Sequence, residues 1–201
     1  TMEELLDVID KFKKGNYTDT IIIQEYIPGD DSHLFDAVVY ADKNKKVKMV
    51  SFAQIGLQEH APRMIGNAAV IINGYSQYPG VEEQIEKIRK FTEKIGYQGF
   101  AEFDMKYDAR DGKYKVMEIN ARQGRCSYYI TPAGFNLIEL LYKDLIEGKE
   151  LKYKVCDKEV LETFVPKCVV KKYITNEEFK KKALSMWKDR TEALHYKKDN
   201  G

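Results

Sequence analysis

One stretch near the middle of the chain constrains the fold more than any other, and it runs from residue 99 to 125 as GFAEFDMKYDARDGKYKVMEINARQGR. Its first half alternates strictly between apolar and charged residues, which is typical of a β-strand with one buried face. A turn rich in Asp and Gly follows, and a second strand then returns with Val116, Glu118 and Asn120 on one face. The stretch therefore predicts a β-hairpin whose polar face carries acids from both strands.

The register of this hairpin decides which acids meet, because residues that face the core must match across the two strands. A five-residue loop at 109–113 places Asp104 opposite Glu118 and Glu102 opposite Asn120. Like charges that face each other in a sheet are destabilising. A divalent cation such as Mg²⁺ compensates them, because it binds one or two carboxylates and completes its shell with water and phosphate oxygens. Asn120 adds a neutral ligand on the same face.

The alternative interpretation of the hairpin is a solvated polar face whose acids pair with Lys106 or Lys115. Taken alone, alternating acids on a hairpin favour the solvated face. The choice between a cation site and a solvated face depends on the residues that follow the second strand and on the rest of the chain.

Periodicity along the remaining sequence predicts an α+β fold with a mostly antiparallel sheet flanked by helices. With 201 residues, 43% of them hydrophobic, the chain can bury a core of its own. Helices are predicted at 2–14, 81–95, between Pro132 and Gly148, and at 176–188. Strands are predicted at 20–27, 34–41, 46–55, 67–73 and within 160–174.

Composition excludes several classes of partner. The net charge of +1 gives no overall field that would attract nucleic acid. No apolar run approaches the roughly 18–20 residues that a membrane helix needs. Three cysteines without a C-x-x-C pair favour a reducing compartment, and we therefore expect a cytoplasmic protein. Cys126 lies beside arginines that would lower the pKa of a thiol, but a small filler residue is the favoured interpretation.

The string MEINARQGR resembles the metal-binding strand of the ATP-grasp enzymes, and GFAEFDMKYD resembles the strand that pairs with it. The resemblance implies that Asp104, Glu118 and Asn120 ligate Mg²⁺, or Mn²⁺ in its place, beside the phosphates of ATP. It also implies the ATP-grasp form of the α+β fold. Glu102 is not carried over, because several members of the family have arginine there.

The segment IIIQEYI at 21–27 resembles the strand that forms the hinge between the two ATP-gripping subdomains of that family. By this resemblance, Gln24 and the backbones of Glu25 and Ile27 bind adenine, and Asp31 binds the ribose. Many relatives have glutamate where this chain has Gln24, but an amide oxygen also accepts a hydrogen bond from the adenine amino group. Taken alone, the segment favours an ordinary core strand.

The strings QEYIPGDDSH and EINARQGRCSYY most resemble carboxylate–amine ligases of the D-aspartate ligase kind, which act on amino-acid side chains of cell-wall precursors. The resemblance implies that ATP phosphorylates a carboxylate and that an amine then attacks the acyl phosphate. Arg122 and Arg125 are the candidates for binding anionic groups, and Arg63 is a further candidate. Other readings stay open: a dipeptide or carbamoyl-phosphate type of ligase, or a nucleotide-binding module without catalysis.

The resemblance covers residues 1–150, which are expected to form the C-terminal part of an ATP-grasp domain, with the metal hairpin at 99–122. Residues 151–201 are expected to be a family-specific extension. The lysines that hold the phosphates of ATP lie on strands before the hinge in this family, whereas the segment before the hinge here predicts a helix. We therefore expect a fragment that is incomplete on its N-terminal side and inactive in isolation.

Overall fold

The computed structural model describes residues 1–61, 64 and 66–192. Five α-helices lie in this part of the chain: α1 Met2–Lys14, α2 Val81–Lys94, α3 Leu137–Leu145, α4 Lys167–Tyr173 and α5 Glu177–Ser185. The strands are β1 Leu34–Ala41, β2 Val47–Ser51, β3 Ala53–Gln58, β4 Ala68–Asn73, β5 Gly99–Asp108, β6 Lys113–Asn120, β7 Lys154–Cys156 and β8 Val160–Thr163. The predicted α+β class is confirmed.

All eight of these strands join one sheet. Six of them follow the order β6-β5-β1-β3-β4-β8, and β2 and β7 lie off this path. Strand β2 is antiparallel to β1 and parallel to β7. The other pairs along the path are antiparallel, as predicted. Because β7 and β8 belong to the same sheet, the sheet continues across the expected boundary at residue 150, and the division into two domains stays a prediction.

Strand alternation gives the sheet two apolar faces, each covered by different elements. One face packs against α2 through Ile85 and Ile88, with Phe35 and Phe103 from the strands beneath them. The opposite face packs against the segment that follows β6, through residues such as Tyr129 and Leu137. A third cluster joins β4 and β8 to α4 and α5. The acids of β5 lie on the face that the segment after β6 covers.

The hairpin of β5 and β6 reaches the predicted pairing by a different route. Asp104 lies opposite Glu118, as expected, but Asp108 pairs with Lys113, so the loop is 109–112 and one residue shorter than predicted. A bulge at Met117 takes up the difference. As a result Val116 lies opposite Met105 on the apolar side, and the expectation that it shares a face with Glu118 was wrong.

The strand predicted at 20–27 is absent from the structure, where this segment has no regular hydrogen bonding. Its apolar side chains face outward, with Ile22 83% and Tyr26 76% exposed. A β-branched run becomes a strand only when a neighbouring strand accepts its backbone hydrogen bonds, and no strand of the described residues pairs with it. Sequence propensity alone therefore misjudged this segment.

Two further boundaries differ from the predictions. The strand expected at 46–55 is divided at Phe52 into β2 and β3, both of which pair with β1. Part of the strand region expected at 160–174 is helix α4, which begins after Pro166 and buries Val170 against the cluster under α5. Tertiary packing outweighs the β-preference of its valines there. Helix α1 has its predicted limits and a capping box between Thr1 and Glu4, but it buries none of its residues.

In the part of the chain that the structure covers, no helix has both the length and the apolar character needed to cross a bilayer.

A buried hydrogen bond fastens α3 to the sheet, and it gives a test of the fold. The Tyr40 hydroxyl on β1 donates to Asp144 Oδ2 at 2.8 Å, and both residues are buried. We expect Tyr40→Phe to lower the free energy of unfolding by about 1–2 kcal/mol, because the buried carboxylate loses a donor. Urea unfolding measures the change. Tyr142→Phe, at an exposed position on α3, is the matched control and should change stability by much less.

Candidate active site

A row of acids crosses three neighbouring strands on one face of the sheet. Asp36 on β1 lies opposite Asp104 on β5, and Asp104 lies opposite Glu118 on β6. Neighbouring strands are about 4.8 Å apart, so these carboxylates cannot avoid one another's field. Together with Glu102, the three acids line a cavity of about 220 Å³. The predicted meeting of Asp104 and Glu118 is therefore present, and the row is longer than the sequence indicated.

Asn120 and Arg122 lie beside Asp104 in this row. The Asn120 amide nitrogen donates to Asp104 Oδ2 at 3.0 Å, and Arg122 Nη2 donates to Asn120 Oδ1 at 3.4 Å. These contacts bring the amide and the guanidinium beside the carboxylate without joining Arg122 directly to Asp104. The three predicted ligands, Asp104, Glu118 and Asn120, thus line one cavity together with Arg122 and Arg125.

The inner acids of the cavity are strongly perturbed. Burial, together with the charges of Glu102 and Asp104, raises the pKa of Asp36 well above its usual range. Burial and the neighbouring Asp104 raise the pKa of Glu102 to about 7. The pKa of Asp104 is also raised, by burial first and by Glu118 second. Such shifts mean that burial and the neighbouring acids make the charged forms of these three side chains less favourable, which a bound cation would offset.

The donor set fits a hard divalent cation. Two carboxylates and an amide oxygen are ligands that Mg²⁺ and Mn²⁺ accept, and water or phosphate oxygens would complete the shell. Among the described residues, no group of three or more His, Cys, Asp and Glu side chains is arranged to enclose a metal by itself. A cation bound by Asp104, Glu118 and Asn120 would therefore need oxygens from a second ligand, as a metal–nucleotide complex provides.

Gly124 closes the loop over the inner acids. Glu102 is only 7% exposed, and a Cβ placed on Gly124 would overlap its carboxylate. The backbone at Gly124 does not have the positive φ that would itself favour glycine, so the lack of a side chain is what matters here. A side chain at the glycine of the string ARQGR would therefore have to displace the buried carboxylate end of Glu102.

The residues predicted to bind the nucleotide surround a second cavity, of about 600 Å³, beside the first. It is lined by Gln24, Glu25, Ile27 and Asp31 together with Lys106, Val116 and Met117 of the hairpin. Asp104 lines the first cavity and Lys106, two residues along the same face of β5, lines the second, so the two cavities adjoin along the hairpin. The segment is held to the hairpin by Arg110, whose Nη1 lies 2.8 Å from Glu25 Oε1.

Asp31, the predicted ribose ligand, already has protein partners. Its Oδ2 accepts a hydrogen bond from the Gln58 backbone N–H at 2.8 Å and lies 3.6 Å from His60 Nε2. The two predicted anion-binding arginines differ in their contacts. Arg125 Nη2 lies 3.7 Å from Glu59 Oε1, while Arg122 reaches toward Asn120. Arg63 lies outside the described residues.

Two acids of this region were not found from the sequence. Asp36 lies inside the apolar run LFDAVVYA, and Glu162 lies within the short strand β8. In both cases the signal available in the sequence was an acid in an apolar strand. Glu162 Oε2 accepts a hydrogen bond from the Tyr129 backbone N–H at 2.7 Å, and burial raises its pKa to about 7. Cys126 fits its favoured interpretation as a small filler residue, because burial raises the pKa of its thiol to about 12 despite the neighbouring arginines.

Comparison with solved structures identifies the class of fold. N5-carboxyaminoimidazole synthetase from Staphylococcus aureus, solved with ADP, superposes with a TM-score of 0.51 and 15% identity over 69% of this chain and 35% of that protein. A second structure of the same synthetase gives a TM-score of 0.50 over 68% of the chain. These are ATP-grasp enzymes, and the chain has the ATP-grasp fold that the hairpin motif predicted.

The sequence comparison narrows the resemblance. The chain is 37% identical over 206 aligned residues to the D-aspartate ligase of Enterococcus faecium (strain Aus0004), covering 99% of this chain and 48% of the relative. It therefore spans about half the length of the curated relative that it matches. No family model matches the chain. The resemblance to ATP-grasp ligases of the D-aspartate ligase kind is confirmed.

The close approach of Gly124 to Glu102 predicts a steric effect. Gly124→Ala should lower the free energy of unfolding by about 1–3 kcal/mol, because the added methyl group overpacks a buried contact. Thermal or urea unfolding measures the loss. In a Glu102→Ala background the same substitution should cost much less, since the clashing carboxylate is gone. Equal costs in the two backgrounds would contradict the assigned contact.

Glu162 predicts a pH-dependent stability. Its pKa rises from 4.5 to about 7 on folding, so between these pH values the folded state binds more protons than the unfolded state. Stability from this group therefore falls as pH rises through that window, by roughly 2–3 kcal/mol in total.

Glu162→Gln keeps an acceptor for Tyr129 and removes the titration. Relative to the native protein, the variant should gain stability by that amount between pH 5 and about pH 8. Urea unfolding across this range measures the difference. Glu150→Gln, at an exposed position, should leave the profile unchanged. Parallel profiles for Glu162→Gln and the native protein would refute the assignment.

Proposed function

We propose that the chain provides the metal- and nucleotide-binding part of an ATP-dependent carboxylate–amine ligase. The observation that carries this proposal is the meeting of Asp104, Glu118 and Asn120 in a cavity that also contains arginines. The 37% identity to a D-aspartate ligase along almost the whole chain supports the same activity. The ADP in a solved structure of similar fold supports a nucleotide ligand.

Asp104 and Glu118 would bind a Mg²⁺ ion through carboxylate oxygens, with the Asn120 amide oxygen as a third ligand. When bound, the metal would neutralise negative charge on the phosphates during phosphoryl transfer. Pairing of β5 with β6 holds Asp104 opposite Glu118, so both are positioned before the metal enters. The hairpin thus contributes preorganisation, which lowers the cost of binding a multiply charged complex.

The reaction would proceed in two steps. The terminal phosphoryl group of ATP passes to a carboxylate oxygen of one substrate, which gives an acyl phosphate and ADP. The amine nitrogen of the second substrate then attacks the carbonyl carbon; a C–N bond forms, the C–O bond to phosphate breaks, and the nitrogen loses a proton. Arg122 and Arg125 would bind the anionic oxygens of the acyl phosphate, since guanidinium groups match phosphate and carboxylate geometry.

Gln24 and the backbones of Glu25 and Ile27 would bind the adenine in the adjoining cavity. Asp31 would reach the ribose with the carboxylate oxygen that does not bind Gln58. Because the two cavities adjoin, one nucleotide could occupy both. It would lie along β6, with its base near Met117 and its phosphates near Glu118.

The substrates would be D-aspartate and an amine of a cell-wall precursor, and the enzyme would act in the cytoplasm. Similarity to the D-aspartate ligase supports this pair over a dipeptide or carbamoyl-phosphate type of reaction. Product analysis with D-aspartate and with other amino acids, in the presence of an amine acceptor, tests the choice.

A single carboxylate substitution tests the metal and nucleotide site. Glu118→Gln removes one charged ligand while keeping the size of the side chain. We expect Mg²⁺ to strengthen binding of ADP to the native protein, and the substitution to reduce that strengthening about tenfold or more. Calorimetric titration with ADP, with and without Mg²⁺, measures both quantities.

Glu82→Gln, at an exposed position on α2, is the control for this titration and should behave like the native protein. If Mg²⁺ has the same effect on ADP affinity in the native protein and in Glu118→Gln, the proposed site is wrong.

A further inference from the structure

The inner end of the acid cavity contains a buried acceptor that lacks a donor. Asp36 is 2% exposed, and its Oδ1 has no hydrogen-bond partner among the described residues. A buried carboxylate oxygen left unpaired is destabilising, and proteins rarely keep such groups without a reason. Because Asp36 lines the cavity, a ligand that enters it is placed to satisfy this oxygen.

The other oxygen of Asp36 is fixed by a buried network. Asp36 Oδ2 accepts from the Tyr129 hydroxyl at 3.3 Å, and that hydroxyl lies 3.1 Å from Ser51 Oγ. Ser51 Oγ in turn accepts from the Val38 backbone N–H at 3.0 Å. Tyr129 and Ser51 are fully buried, so the network holds the carboxylate in one orientation with Oδ1 unpaired.

We propose that Asp36, assisted by Glu102, binds a primary ammonium group of an organic substrate at the inner end of this cavity. The inference rests on the proposed function, since it takes the cavity as the place where the ligase substrates meet. An ammonium group is compact, positively charged and carries three N–H donors. It can therefore donate a hydrogen bond to an unpaired, buried carboxylate oxygen and offset its charge.

The charges that line the cavity favour this ligand. Acidic side chains outnumber basic ones: Asp36, Glu102, Asp104 and Glu118 against Arg122 and Arg125. Asp104 and Glu118 are the acids of the proposed metal site, and a metal–nucleotide complex bound there brings phosphate charge with it, while Glu102 lies opposite Asn120 and Asp36 lies deeper, on β1. The inner pair would then need a cation of its own.

The ammonium group has two possible sources in a carboxylate–amine ligase. It is either the α-ammonium of the amino acid whose carboxylate is activated or the amine of the acceptor before it loses its proton. In the first case Asp36 orients the carboxylate toward the phosphates, and in the second it holds the nucleophile. Both make Asp36 a residue that touches substrate.

Titration with small amines tests the proposal directly. Methylammonium is the probe for the shared chemistry, and tetramethylammonium, which has the charge but no N–H donor, is its control. We expect methylammonium to bind the native protein in the presence of MgADP, and Asp36→Asn to weaken it about tenfold or more, while tetramethylammonium binds neither protein. Ligand-observed NMR at one fixed pH measures the affinities.

Asp144→Asn is the matched control, because Asp144 is an equally buried acid that accepts from Tyr40 and lies outside the cavity. It should bind methylammonium as the native protein does. Parallel titrations with D-aspartate and with n-butylammonium identify the source, since Asp36→Asn should weaken the one whose ammonium group occupies the site.

Two results would overturn the proposal. One is an unchanged methylammonium affinity in Asp36→Asn. The other is a loss of Mg²⁺-coupled ADP binding in that variant without a loss of methylammonium binding, which would make Asp36 a metal ligand. If Asp36→Asn does not fold, Tyr129→Phe frees the carboxylate from its hydroxyl partner and should weaken methylammonium severalfold; no change would again refute the idea. Native protein that binds methylammonium without MgADP, and ADP without regard to Mg²⁺, would remove the proposed function and leave the ammonium site standing.

Discussion

Repulsion among carboxylates on three neighbouring strands is the constraint on which the rest of the site depends. Asp36, Asp104 and Glu118 lie side by side across β1, β5 and β6. The protein offsets this repulsion only in part, through the amide of Asn120 beside Asp104. Burial first, and the charges of the neighbouring acids second, raise the pKa values of Asp36 and Asp104. A site that is unfavourable when empty gains the more from a bound cation, because the repulsion is relieved on binding.

The surroundings of the acids are rigid because nonpolar packing and buried hydrogen bonds hold them from behind. Tyr129 is central: its backbone N–H donates to Glu162, and its hydroxyl donates to Asp36. The segment after β6 thus ties the acid row to β8 at the far end of the sheet order. Gly124, in the same segment, lets the loop approach Glu102. The covering segment therefore positions the inner acids as well as shielding them.

How much the sequence could predict follows from the range of the interactions. The pairing of Asp104 with Glu118 was predictable, because a hairpin is local and alternation restricts its register. Asp36 was missed because its neighbour Asp104 becomes adjacent only through the pairing of β1 with β5, which no local pattern encodes. The opposite error arose at 20–27, where β-branched residues suggested a strand although no described strand pairs with them. Helix α4 was missed since packing of Val170 decides its form.

The bulge at Met117 separates the two ends of the hairpin. With the loop at 109–112 and unbroken pairing, Met117 would lie opposite Asp104, and Glu118 would turn to the apolar face. The extra residue shifts the alternation of side chains along β6 by one position, between the tip of the hairpin and its acidic end. The tip of the hairpin, including Arg110 and its contact with the segment near Glu25, can therefore vary independently of the acid row. Drift in loop length during evolution would be absorbed at this one position, and the acidic end would keep its alignment.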